Sequence, residues 1–293
     1  MSDGRFVVLE DRAVLAIAGP DRVSFLQGLV SNDVTRVSNE RAIYAAFLTA
    51  QGKYLHDFML VERDEALWLD GEAARLADLK RRLSMYRLRA KVTIEERPDL
   101  AVAAILDCSA LGLAAEPGAA RGFDSGIAFT DARLSALGAR AILPRNDIRS
   151  VLSAAGLNEG DFAEYDHRRL ALGVPDGSRD LVVDKTILLE AGFDELNGVD
   201  WNKGCYIGQE LTARTKYRGL IKKRLFPVRI EGPAPGAGAL ITHDGHEAGE
   251  VRSSRDGIGL ALLRLEDVAK RTPLVAGDAR IQPITPNWMR LPD

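Results

Sequence analysis

Short apolar runs set in pairs around tight polar turns, with single helical segments between them, restrict this chain more than any other feature. Residues 6–19, FVVLEDRAVLAIAG, read as two strands about the turn Glu10-Asp11-Arg12, and AFLTAQGKYLHDFMLVE as a hairpin turning at Gln51-Gly52-Lys53. GPDR opens a helix with Pro20 in its first turn and Val23, Leu26 and Val30 on one stripe, until SND stops it. Residues 72–83 return to helical period through Leu76, Leu79 and Leu83, and AKVTIEE, LAVAAIL and GARAILP add strands between turn residues. A doubly wound parallel sheet would alternate strand and helix regularly. Hairpins with single helices predict an α+β fold of antiparallel sheets with helices on one face.

The 293 residues exceed what a single core holds, so two or three packed units are expected. DFAEYDHRRLALG predicts a helix stopped at Gly173-Val174-Pro175. The weakly periodic residues 176–199 that follow are long for a passive connection. Beyond Leu225 the pattern changes to strand pieces cut by Pro, Gly and His-Asp-Gly turns, the punctuation of a small barrel or sandwich. The division read from sequence is an α+β region over 1–225 and a small all-β domain over 226–293.

A net charge of −3 argues against a dedicated duplex-DNA binder, which carries a basic balance, and no nucleic-acid partner is expected, although the charge leaves room for a local basic patch. Cys108 and Cys205, far apart and the only thiols, predict a reducing compartment without disulfides. MSDGRFVVLEDR has neither signal nor transit character, and no apolar run approaches the roughly 20 residues of a membrane span. These readings predict a cytoplasmic location, no membrane and a monomer when alone.

The chemistry concentrates in KGCYIGQE, residues 203–210. A core cysteine needs no such neighbours. Gly208 followed by Gln209-Glu210-Leu211 reads as a loop entering a helix, so Cys205 precedes a helix N-terminus. Together with Lys203 that positive end favours the thiolate. One thiolate is too few for a closed metal site, so any cluster on Cys205 is shared with another molecule. Arg214, Lys216, Arg218, Lys222, Lys223 and Arg224 follow, a local anion site on an acidic protein or a solvated helix face. His243 and His246 read as solvated turn residues, and Cys108 as a core cysteine. His56-Asp57 sits in an alternating strand, one inward and one outward, and a buried Asp57 would need partners.

The octapeptide matches K-G-C-[FY]-x-G-Q-E at every fixed position, and with GPDRVSFLQGLVSNDV, AFLTAQGKYLHDFML and TKYRGLIKKRL the chain resembles a known family. These are the YgfZ proteins and their mitochondrial IBA-type relatives, folate-binding cousins of the glycine-cleavage T-protein. The resemblance implies two intertwined α+β lobes around a central channel and a C-terminal β-barrel. It implies a role in assembly or repair of [4Fe–4S] clusters with an A-type carrier protein, and tetrahydrofolate or a derivative as ligand. It assigns the thiol of Cys205, with Lys203 beside it, as cluster ligand shared with the partner or as nucleophile. Asp57, Glu190, Arg214 and Arg218 become folate contacts, Glu190 against the pterin ring and the arginines on the tail carboxylates. Two departures stand out: His56 occupies one position of the T-protein's Asp-Asp pair, and Leu189 replaces the usual Pro before Glu190. The first departure favours an assembly factor over the alternative, a folate-dependent aminomethyltransferase. A repair enzyme using Cys205 as nucleophile is a third class.

Overall fold

The two strands predicted over residues 6–19 form, but they do not pair with each other. In the computed structural model, which describes residues 4–219, 221–270 and 273–291, they enter different sheets. Arg12–Ala18 joins a five-stranded sheet with the spatial order Ile43–Leu48, Tyr54–Arg63, Ala66–Glu72, Arg12–Ala18, Thr93–Glu96. Arg5–Val8 joins a six-stranded sheet ordered Asn158–Glu159, Arg5–Val8, Leu100–Ile105, Ala139–Pro144, Gly126–Thr130, Ala120–Phe123. The pairing within it is antiparallel except between Arg5–Val8 and Asn158–Glu159. Both sheets belong to one compact unit made of Met1–Leu48, Leu55–Tyr165 and Asn197–Ile207.

Helix Leu76–Tyr86 buries Leu76, Leu79 and Leu83, as its period predicts. The helix after GPDR is shorter than its stripe suggested: it spans Arg22–Gln27, and Val30 is instead bridged to Phe47. His56 and Asp57 point to opposite faces of their strand, yet both are buried, which corrects the expectation of one outward side chain. The helix covers one face, where His56 Nε2 meets Asp78 Oδ2 at 3.0 Å; on the other, the Tyr44 hydroxyl donates to Asp57 Oδ2 at 2.8 Å. Burial drives the His56 pKa down to about 4.

A buried ionic cluster links the two sheets. Arg12 and Arg140 both bond to Asp70, and Arg140 and Arg133 both bond to Asp131. Charges this deep persist only when paired, and here each carboxylate has two arginines. Cys108 is half-buried against the core of the six-stranded sheet, as read from sequence.

The second unit comprises Thr49–Tyr54, Asp166–Leu196 and Gly208–Asp293. Its C-terminal strands close into a six-stranded barrel ordered Lys223–Glu231, Ile258–Arg264, His246–Arg255, Leu240–His243, Leu274–Ala276, Ala279–Pro283. The barrel interior is filled by Phe226, Val228, Ile241, Val251, Leu263 and Ile281. The α+β class with a C-terminal barrel is thus the observed architecture. His243 departs from the solvated-turn reading: it ends strand Leu240–His243 with its side chain buried, and its Nδ1 lies 2.9 Å from Asp267 Oδ1. The strand's alternation carries Ile241 and His243 to the same side, which the turn signal beside them obscured. In the segment before the barrel, Arg169 bonds to Asp166, Asp180 and Ser253 and so fastens Asp166–Leu196 to a barrel strand.

Candidate functional site

Cys205 is exposed, on a loop of the first unit that is held by its backbone neighbours rather than by its own side chain. The Asp200 amide donates to Ser31 O at 3.1 Å, and the Ile207 amide to Gly28 O at 3.2 Å. Asp200 turns the loop by accepting from the amides of Asn202 (2.7 Å) and Lys203 (3.0 Å), while Arg36 bonds to its second oxygen. On the facing segment, Ser31 Oγ donates to Gly198 O at 2.5 Å, and Asn32 Nδ2 donates to the carbonyls of Tyr44 and Asn197, each at 2.7 Å.

Lys203 completes this anchoring. Its ammonium donates to the carbonyls of Gln27 (2.8 Å), Val30 (2.6 Å) and Asn32 (2.8 Å) and stands 5.0 Å from the centre of the Tyr206 ring. All three ammonium hydrogens are thereby directed at the backbone. Burial pushes the Lys203 pKa down to about 8, against the pull of Asp33 and Asp200. Lys203 is therefore a positioning residue for the loop. Gly204, next to the thiol, has open space where a side chain would stand, so the surface beside Cys205 is bare.

The motif's second half belongs to the second unit. Gly208, at φ +80, turns the chain into helix Gln209–Tyr217, so the predicted loop-to-helix passage is present four residues after Cys205. The positive φ explains the glycine. Gly52, at the tip of the hairpin turn, approaches so closely that a Cβ there would lie 2.6 Å from Gly208 O.

Glu190 is the conspicuous group of this unit. It lies on the short 3-10 turn Leu188–Ala191, half-buried, and its carboxylate has no hydrogen bond or ion pair among the described residues. Burial raises its pKa, and Lys53, Lys223 and Arg252 oppose that rise through their charge without pairing with it. A half-buried carboxylate with cations nearby and no donor among the described residues can accept hydrogen bonds from a ligand.

The turn is fixed by a residue that sequence reading assigned to an anion patch or a solvated face. Arg224, buried in the first barrel strand, donates to Leu189 O at 3.1 Å and to Glu195 Oε1 at 2.9 Å. Only its place in the strand alternation KRLFPVR hinted at burial. Arg214 is exposed and pairs with Glu210 one helical turn away, and Lys216 pairs with Asp194. Arg218 is exposed, with no side-chain partner among the described residues. Asp57, Lys203 and Cys205 thus belong to the first unit, and Glu190, Arg214 and Arg218 to the second. Among the described residues no group of three or more His, Cys, Asp or Glu side chains could hold a metal ion, and no helix is long and apolar enough to cross a membrane.

Comparison with known proteins adds relatives over the whole length. Residues 222–291 match the family model of the CAF17 C-terminal β-barrel domain. The mitochondrial iron–sulfur cluster assembly factor IBA57 of Mus musculus is 35% identical over 303 residues, covering 96% of this chain and 84% of that protein. Its Homo sapiens counterpart is 36% identical over 283 residues, covering 89% and 77%. Among solved structures, the glycine cleavage system aminomethyltransferase T of Bartonella henselae superposes with a TM-score of 0.77 over 96% of this chain and 85% of that one, at 15% identity. This likeness establishes the fold. The cytoplasmic expectation is overturned: the relatives this chain matches are named as mitochondrial proteins. That expectation rested on the composition of the first residues and on two unpaired thiols, and a reducing compartment is not unique to the cytoplasm.

Proposed function

This chain belongs to the family of the IBA57 iron–sulfur cluster assembly factors, and from that premise we propose that it assembles or maintains [4Fe–4S] clusters with an A-type carrier protein. Cys205 supplies one thiolate to a cluster whose remaining ligands come from the carrier. The observation that carries this reading is an exposed thiol on a loop anchored on both sides, with bare surface next to it. One thiolate leaves most of a metal's coordination open, so a second protein must complete it.

Tetrahydrofolate is the proposed small ligand. The residues fit it: the Glu190 carboxylate, without a partner among the described residues, can accept two parallel N–H bonds from a pterin edge, and Lys53 and Arg218, which carry no ion pair among the described residues, offer cations for its carboxylate tail. When bound, the folate would supply one-carbon chemistry. The protein's own part is to orient the ring on Glu190, which Arg224 holds in place through Leu189 O. Asp57, buried and bonded by Tyr44, supports the first unit's interior and is a weaker candidate for direct contact.

Anaerobic mixing with a cluster-loaded A-type carrier tests the reading. A shared cluster should form with the native protein, visible as a changed absorption and circular dichroism spectrum, and should not form with Cys205→Ser. An unchanged spectrum with the native protein, or a Cys205→Ser variant that restores iron–sulfur enzyme activity in cells lacking the protein, would refute it. Because His56 breaks the carboxylate pair of the T-protein, no methylene-tetrahydrofolate should form from an aminomethyl-loaded carrier protein.

A further inference from the structure

The turn that follows helix Leu76–Tyr86 has features that neither the thiol nor the proposed folate site accounts for. Met85 and Leu88 are 59% and 89% exposed, the latter the most exposed large apolar side chain described. Leu88 also holds φ +42, a left-handed backbone that branched side chains rarely adopt. Strain of this kind persists only where the surroundings impose it, and it motivates a search for a use.

The surroundings do impose it. The amides of Arg87, Ala90 and Val92 bond to Ser84 O, Arg87 O and Ala90 O, and the Lys91 amide bonds to Asp21 Oδ2 at 2.7 Å. Gly19 approaches the same turn so closely that a Cβ would sit 2.2 Å from Lys91 O. The turn is fastened at its base, and Leu88 is held out from a fixed platform.

Charge identifies what the platform meets. Residues 80–91 hold six cations and no carboxylate in a protein of net charge −3. Lys80 is paired with Glu96, and Arg81 and Arg82 with Asp78, which leaves the side chains of Arg87, Arg89 and Lys91 without partners among the described residues. Three free cations around one apolar knob fall short of the roughly four to eight that hold a protein on an anionic membrane. They fit the anatomy of a protein contact, an apolar anchor with arginines at its rim.

The platform also connects to the loop of Cys205 within the same unit. The Tyr86 ring packs edge-on to Phe47 with centroids 6.0 Å apart, Phe47 is bridged to Val30, and Val30 O accepts from Lys203.

We propose that Leu88, with Met85, Arg87, Arg89 and Lys91, is the docking surface for the protein that shares a cluster with Cys205, and that this protein presents carboxylates around an apolar hollow. This rests on the function proposed above. The test measures the affinity of an A-type carrier for the full chain at low and high salt. Two variants are compared: Leu88→Gly, which removes the knob while relieving the φ constraint, and the double change Arg87→Glu, Arg89→Glu. The dissociation constant should rise about tenfold or more in each, from loss of a buried leucine or reversal of steering charge. The salt dependence should weaken in the double variant only, and unfolding of Leu88→Gly should occur at the same or higher denaturant. Wild-type affinity in both variants, with Cys205→Ser still blocking cluster sharing, would overturn the docking surface and leave the function standing. No carrier binding by the native protein would overturn both. Binding to phosphatidylcholine–phosphatidylglycerol vesicles that Leu88→Gly abolishes, with carrier affinity unchanged, would make the surface a membrane contact and overturn the proposal.

Discussion

Replacing Lys203 by Met isolates the anchoring of the Cys205 loop from the chemistry of the thiol. The change keeps the stem's length and removes three bonds from a charged donor to the carbonyls of Gln27, Val30 and Asn32. Hydrogen bonds to charged groups contribute about 1.5–3 kcal/mol each, so about 4.5–9 kcal/mol is lost. Against this, the ammonium is costly to bury. The fall of its pKa from 10.5 to about 8 corresponds to about 3 kcal/mol that the variant recovers. The net expectation is a loss of roughly 1.5–6 kcal/mol. Urea unfolding should report it, and amide exchange should localise it, with faster exchange at Asp200 and Ile207 and unchanged exchange in the barrel strands. Cluster sharing should fall although Cys205 is intact. Lys203→Arg should not restore it, because a planar guanidinium cannot aim at three carbonyls converging on one point. Unaltered stability together with unaltered exchange at Asp200 and Ile207 would refute the anchoring role.

Other outcomes follow from the same geometry. His56 stays neutral in the fold down to about pH 4 whereas the unfolded chain takes up its proton near 6.5, so stability is full above pH 6.5 and declines as pH falls towards 4. The decline should reach about 3 kcal/mol in denaturant titrations and flatten in His56→Gln, and an equally steep decline in that variant would assign it elsewhere. Glu190→Gln should raise the tetrahydrofolate dissociation constant by about 10- to 100-fold in titration calorimetry, from the loss of charge-assisted bonds; unchanged binding would remove Glu190 from the site. Arg224→Met should weaken folate binding without touching the ligand, by freeing Leu189 O, and leave Cys205 alkylation at its native rate. In Leu88→Gly, relief of about 1–2 kcal/mol at a positive φ outweighs the added chain entropy of about 0.4–1 kcal/mol, so stability should rise slightly.

The sequence disclosed those features whose causes are local. Leu76, Leu79 and Leu83 announce their helix because one periodic stripe is buried along its length, and the barrel shows itself through turn residues at short intervals. Alternation showed that His56 and Asp57 face opposite ways but not that both faces are covered, since covering depends on a helix some twenty residues further along. The role of Lys203 was hidden for the same reason: its three carbonyl partners lie more than 170 positions earlier. Charge was the least legible property, because a cation next to a site and a cation spent on the fold look alike in sequence. The basic run after the motif separates once pairing is known. Arg214 is taken by Glu210, Lys216 by Asp194, and Arg224 by Glu195 and a backbone carbonyl, while Arg218 has no side-chain partner among the described residues. The carboxylates divide in the same way: Asp70 and Asp131 are fully committed inside the first unit, and Glu190 has no donor among the described residues. A buried charge without a partner costs several kcal/mol that a paired one recovers. That Glu190 is half-buried and unmatched among the described residues, while the deeper carboxylates are matched, is what the proposed folate contact would explain.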